Sequence, residues 1–174
     1  EAWGEHGYYR HPLELHRELT RVLLMASAPD LGIERKLIAD RVSQVDVLPT
    51  ILELVGEPIP EGLDGQSLRS LIFASEKTPE TQRLLADRKL FAHTGRLEPF
   101  EEHRWSVSNA RWKLIQGMGE VELYDLKNDP YERQNIARKH PQIVAELRKE
   151  LRPHKARIGD LREKRVEIEL DDCQ

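Results

Sequence analysis

The sequence predicts a mixed α/β chain that ends in a small antiparallel sheet with a packed C-terminal helix. Three observations predict it. Val22 to Ala26 is a continuous apolar run between helical patterns and reads as a fully buried strand. From Lys89 the period changes to short segments rich in β-branched and aromatic residues, split by tight turns, which is the pattern of a meander. Finally, Pro141 opens a helix with Ile143, Val144, Leu147 and Leu151 on one face.

Each element follows in order. Residues 1–11 are rich in Gly, His and aromatics and fit neither period, so a loop is expected before Pro12. Leu13 to Arg21 carries Leu13, Leu15 and Leu19 among charges, enough for a short helix. Val45, Leu48, Leu52 and Val55 fall at helical spacing, and Gly56 is placed as the stop. Ser43 and Asp46 form a capping pair at its start. With Asp46 as cap, Pro49 lies harmlessly in the first turn; with Ser43 as cap, it should bend the helix. Residues 57–65 form a turn-rich loop, and Ser67 caps a short helix carrying Leu68, Leu71 and Ile72. Thr78-Pro79-Glu80 is a further helix start. The meander strands are Leu90–Thr94, Arg104–Ser108, Trp112–Gln116 and Val121–Leu126. The charged tail from Arg157 is helical or frayed.

Composition narrows the function. The net charge of −4 argues against a nucleic-acid binder that works through overall charge. The single cysteine, Cys173, excludes a disulfide scaffold. The apolar runs are far short of a membrane span. Glu1 opens the chain inside a dense polar motif, which predicts a cut within a longer protein, so a missing targeting segment is silent on compartment.

Three ordered motifs span residues 1 to about 151 and carry a resemblance. They are Gly4-Glu-His-Gly7 with His11 and Arg21-Val-Leu-Leu24; Val42-Ser-Gln-Val-Asp-Val-Leu-Pro-Thr50 with Leu54-Val-Gly56, Leu63-Asp-Gly65 and Ser67-Leu68; and Arg111-Trp-Lys-Leu-Ile115 with Glu122-Leu-Tyr-Asp-Leu126, Asn128-Asp-Pro130 and Asn135-Ile-Ala137. Together they resemble the C-terminal portion of the formylglycine-dependent sulfatases of the alkaline phosphatase superfamily. One departure is Leu23, where that family usually has Pro.

The resemblance implies the C-terminal part of an alkaline-phosphatase-like α/β sandwich. Residues 1–88 would end the large α/β domain, 89–157 would form a small α+β subdomain, and 158–174 a charged tail. It implies a parent enzyme that cleaves sulfate monoesters with formylglycine and a calcium or magnesium ion. The partners expected are the remainder of the sulfatase domain and a sulfate ester, with no nucleic acid and no membrane. The family's nucleophile arises in a Cys/Ser-x-Pro-x-Arg motif, and this sequence holds none: Cys173 is followed only by Gln174, and Ser27 has Leu31 at the Arg position. The Asp-rich metal pairs of the family are also missing, so no catalytic residue and no metal ligand is expected here, and the chain alone should be inactive. His11, four residues after Gly7, falls where the family places a Lys or His that contacts the sulfate or its leaving oxygen.

Phosphonate monoester and phosphodiester hydrolases of the same superfamily share this C-terminal pattern, and a non-catalytic sulfatase-like module is a further alternative. Four other features invite functional readings. Glu5, His6, His11 and His16 resemble a metal cluster, but the histidines are spaced by five where a helical ligand pair needs four. Asp46 suits helix capping better than catalysis. Trp105, Trp112 and Tyr124 suit sheet packing better than a ligand platform. Residues 138–165 hold ten Lys or Arg against four acids, which suggests a sulfated polysaccharide, although acids interleaved with the bases favour a solvated helix face.

Overall fold

The computed structural model describes all residues except 11, 12, 34, 74–77, 80–82, 84, 85, 96–102 and 172–174, and the side chains of 159–171. Its contacts separate two units, Glu1–Val22 with Phe91–Gln174, and Leu23–Leu90.

The first unit is built on a meander of β3 (Leu90–Gly95), β4 (His103–Ser108), β5 (Trp112–Gly117) and β6 (Glu120–Asp125), adjacent in that order. β4–β5 and β5–β6 pair antiparallel, with Trp105 opposite Gln116 and Leu114 opposite Leu123. The turn between β5 and β6 is Met118-Gly119, with φ of 53° and 79°. Positive φ at both positions gives the tight hairpin whose twist matches the strands.

Period-two alternation gives the sheet two different faces. Trp105, Val107, Leu114 and Leu123 pack with Val144, Leu147 and Leu151 of the long helix α4 (Pro141–Asp171). The other face carries Ile115 and Tyr124, which pack with Leu15, and also Arg104, Lys113 and Glu122. The sequence pattern therefore placed all four strands within a residue or two at each end, and the helix runs on through the charged tail to Asp171.

In the second unit, α2 spans Val47–Leu54 and α3 spans Arg69–Ile72. A 3-10 turn, Gln44–Asp46, precedes α2, and the Ser43 N–H donates to Asp46 Oδ2 at 2.7 Å. The α-helix proper starts after Asp46, so Pro49 sits in its first turn without a bend. Thr50 Oγ1 donates to the Asp46 carbonyl at 2.5 Å and accepts the Leu68 N–H at 2.9 Å, tying α2 to the approach of α3. Gly65 lets the loop before α3 lie on the start of α2: a Cβ there would stand 1.9 Å from the Val45 carbonyl oxygen. Backbone cannot yield as a flexible side chain can. Gly65→Ala should therefore lower the urea midpoint of this unit by the equivalent of about 2–3 kcal/mol, and an unchanged midpoint would contradict the packing described.

Three expectations are corrected. Val22–Ala26 is not a buried strand: it is irregular, and Leu23 and Met25 are each 80% exposed. An apolar run becomes a strand only with a neighbour to complete its hydrogen bonds, and no described strand pairs with it. The helix expected over Leu13–Arg21 shrinks to one turn, α1 (Arg17–Thr20), because the preceding residues extend to bury Glu14, Leu15 and His16. The N-terminal loop contains a small hairpin, β1 (Ala2–Trp3) paired with β2 (Tyr9–Arg10). The helix start at Thr78-Pro79-Glu80 lies largely outside the described residues.

Candidate functional site

The hairpin of residues 2–10 precedes position 11 directly. Gly4 at φ 112° and Gly7 at φ 79° reverse the chain, and the Gly4 N–H donates to the Tyr8 carbonyl at 2.9 Å. His6 and Arg10 also take left-handed backbone, at φ 55° and 66°. Residues with a Cβ adopt this region only where surrounding contacts impose it. For His6 those contacts are visible. Its ring stacks on His16 at 3.9 Å with an 11° interplanar angle, and its Nε2 lies 3.8 Å from Glu18. Trp3 N–H donates to Glu5 Oε2 at 2.6 Å, so Glu5 braces the hairpin.

His16 is the centre of a buried polar network. Its Nε2 lies 2.9 Å from Glu122 Oε2 and 3.2 Å from the Tyr124 hydroxyl. The Tyr124 hydroxyl donates to the same Glu122 oxygen. An ionised carboxylate only accepts, so Nε2 of His16 carries the proton. Arg104 grips the acids from the neighbouring strand: Nη1 to Glu122 at 2.6 Å, Nη2 to Glu120 at 2.6 Å, and Nε 3.1 Å from Glu14. Burial works to raise the Glu122 carboxyl, but hydrogen bonds from His16, Tyr124 and Arg104 outweigh it and hold the group down to about 2. For Glu14 burial prevails over Arg104 and the carboxyl is raised. Burial and the Glu122 charge push the Tyr124 phenol up.

A second buried pair ties α1 to the sheet. Lys113 Nζ is 2.9 Å from both oxygens of Glu132, and the Arg17 N–H donates to Glu132 Oε2 at 3.1 Å. The Arg17 guanidinium donates to the Pro130 carbonyl at 2.6 Å. Segments more than 90 residues apart in sequence are thereby fixed around the hairpin.

Glu14, His16 and Glu122 place three potential ligand atoms within 4.8 Å of one another. This set does not fit calcium or magnesium. The Arg104 guanidinium already occupies the negative charge of both carboxylates, and a divalent cation beside it would meet direct repulsion. Hard cations also require six or more oxygen ligands. Of the histidines whose spacing argued against a metal cluster, His6 and His16 stack as rings. His11 itself lies outside the described residues. Asp46 is buried as a structural anchor, and Trp105 and Tyr124 are buried in the sheet.

The buried network brings Glu14 and Arg104, which no motif singled out, together with Glu122 and Tyr124 of the third motif. One signal was present in sequence: Glu122 and Tyr124 are two apart on a strand and must share a face.

Comparison with known proteins turns these motifs into a family. The description "N-sulphoglucosamine sulphohydrolase, C-terminal" matches residues 4–157, most of the chain. The chain belongs to this family of sulfatase C-terminal domains. It is 29% identical over 158 residues to the arylsulfatase K of Bos taurus, covering 82% of this chain and 27% of that protein. A solved 2-O GAG sulfatase superposes with a TM-score of 0.56 at 29% identity, covering 68% of this chain and 26% of that one. The phosphonate monoester hydrolase of Silicibacter pomeroyi shares the fold, with a TM-score of 0.52 at 23% identity over 67% of this chain and 25% of that one. The sulfatase C-terminal domain thus spans about a quarter of the length of the relatives it matches.

Proposed function

We propose that the protein containing this chain cleaves sulfate monoesters, and that this chain supplies its C-terminal part without nucleophile or metal ligands of its own. Residues 1–88 end the large α/β domain, 89–157 form the α+β subdomain, and 158–174 the tail. Formylglycine and calcium or magnesium belong to the remainder of the enzyme. The observation that carries this reading is the family match over residues 4–157, which begins within the braced hairpin.

In this reading His11 contacts the sulfate or its leaving oxygen. A cationic or proton-donating imidazole there stabilises the negative charge that develops as the ester bond breaks. The hairpin of residues 2–10, which precedes this position in sequence, is itself braced by His6 stacked on His16. The remainder of the sulfatase domain covers the apolar side of Leu23–Leu90. An apolar hollow of about 890 Å³, lined by Leu24, Ile38, Val47, Ile51, Leu54 and Leu71, supports this, as does the exposure of Leu23, Met25 and Leu37.

The test uses the whole enzyme and three chromogenic substrates: a sulfate monoester, a phosphonate monoester and a phosphodiester. The sulfate ester should give the highest kcat/KM, and His11→Ala should lower it by about 10²–10⁴-fold with the melting temperature unchanged. A preference for the phosphonate or the phosphodiester would replace the sulfatase reading by the runner-up, which the shared fold of the Silicibacter pomeroyi enzyme favours. Full activity in His11→Ala would remove His11 from the site.

A further inference from the structure

The sheet face opposite His16 carries a second feature. An open groove of about 510 Å³ runs between the β5–β6 turn and α4, lined by His103, Gln116, Gly117, Gly119, Arg148 and Lys155, with Trp105 at its floor. The Arg148 Nε–H donates to Gln116 Oε1 at 3.0 Å, which fixes the guanidinium at the end of β5. Lys155 Nζ sits over the Trp105 ring, 5.3 Å from its centroid. The two cations are thus held by separate contacts beside one groove, one through a neutral amide and the other through an aromatic face.

Helical geometry sharpens the charge pattern. In sequence, acids and bases alternate along α4. At about 100° per residue, Arg148, Arg152 and Lys155 fall on the groove flank of the buried stripe formed by Val144, Leu147 and Leu151. Glu146 and Glu150 fall on the opposite flank. The one acid that lines the groove, Glu120, is turned toward Arg104, which contacts it at 2.6 Å. The β5–β6 turn adds a wall without side chains at Gly117 and Gly119. Gly117 is obligatory there, since a Cβ would lie 2.0 Å from the His103 carbonyl oxygen.

We propose that this groove binds the sulfate groups of an anionic saccharide chain, with Arg148 and Lys155 as the two anchors. Arginine and lysine fixed a few ångströms from neutral surroundings suit a sulfate monoanion, whose oxygens accept from guanidinium and ammonium. A solvated helix face would instead mix both signs. The choice of a saccharide as the carrier rests on the sulfatase reading; the anion groove itself does not.

The test is calorimetric binding to the purified chain at low and at physiological salt. The probes are a heparin-derived sulfated hexasaccharide, the same hexasaccharide after desulfation, and sodium sulfate. The sulfated hexasaccharide should bind at least tenfold tighter than either other probe. Arg148→Gln with Lys155→Gln keeps most of each stem and should weaken that binding tenfold or more. Lys149→Gln, on a different side of α4, should change it less than threefold. Amide resonances of Gly117 and Gly119 should shift on titration of the wild-type chain and not of the double variant, which reports the site even if the variant is less stable. Equal weakening by Lys149→Gln, binding that survives the double variant, or parity with sodium sulfate would each overturn the proposal. Saccharide binding by a chain whose parent prefers phosphonates would keep the groove and remove the sulfatase reading, so the two are separable.

Discussion

Replacing Asp46 with alanine should abolish the ordered structure of the Val42–Ile72 segment. Asp46 is fully buried and holds four donors. Arg88 contacts it through two nitrogens at 2.6 and 2.5 Å, and the N–H groups of Ser43 and Gln66 reach it at 2.7 and 3.0 Å. Removing one partner of a buried ion pair costs about 3–5 kcal/mol, because the other charge is left without compensation. The half-buried N–H groups of Ser43 and Gln66 lose their acceptor as well. Native domains have only about 5–15 kcal/mol in total, so the loss exceeds what α2 and α3 can absorb. Hydrogen exchange read by peptide should show protection lost across residues 43–72 and kept in β4–β6. Full protection in Asp46→Ala would contradict the assignment.

The same carboxylate sets an acid limit. Burial alone would raise it, but the hydrogen bonds of Arg88, Gln66 and Ser43 outweigh this and hold it below 3.8. A group depressed in the folded state contributes stability above its unfolded value and loses it as pH falls through its folded value. Protection of residues 43–72 should therefore fall as pH drops below about 3.8, and Asp46→Asn should remove that dependence.

The second large effect is at Lys113. Its pairing with Glu132 is buried at both ends, with 7% and 3% of the side chains exposed. Lys113→Ala leaves the Glu132 carboxylate with the Arg17 N–H as its remaining contact among those described, at about 3–5 kcal/mol. Lys113→Met with Glu132→Gln removes both charges and should recover much of that loss, since an apolar replacement of a buried pair is often neutral. Tryptophan fluorescence reports it, because Trp105 and Trp112 both lie in this sheet. A double variant no more stable than Lys113→Ala would mean that the pair is not what joins α1 to β5.

Much of the fold was legible because it obeys local rules. The meander shows period two and its turns carry Asn109 and the Gly117–Gly119 triplet, so strand positions followed from spacing alone. The α4 core stripe followed from period 3.6. Val22–Ala26 was misjudged because hydrophobicity says that a run should be covered and not by what. The polar network was not legible for a different reason. His16 meets Glu122 across 106 residues and Arg88 meets Asp46 across 42, so these pairs exist only once register and packing are set. The basic stretch of α4 favoured a solvated face in sequence because acids interleave with its bases; around the helix, Arg148, Arg152 and Lys155 fall on one flank and Glu146 and Glu150 on the other.

The reading of this chain as the C-terminal part of a sulfatase, inactive without the remainder of the enzyme, is the proposal that most needs a direct test. The most direct measurement is hydrolysis of a chromogenic sulfate monoester by the purified chain, side by side with the whole enzyme at equal molar concentration. Turnover is expected from the whole enzyme, and a rate equal to the buffer blank from the chain. Sulfate release by the chain above that blank, proportional to its concentration and free of any full-length enzyme, would contradict it.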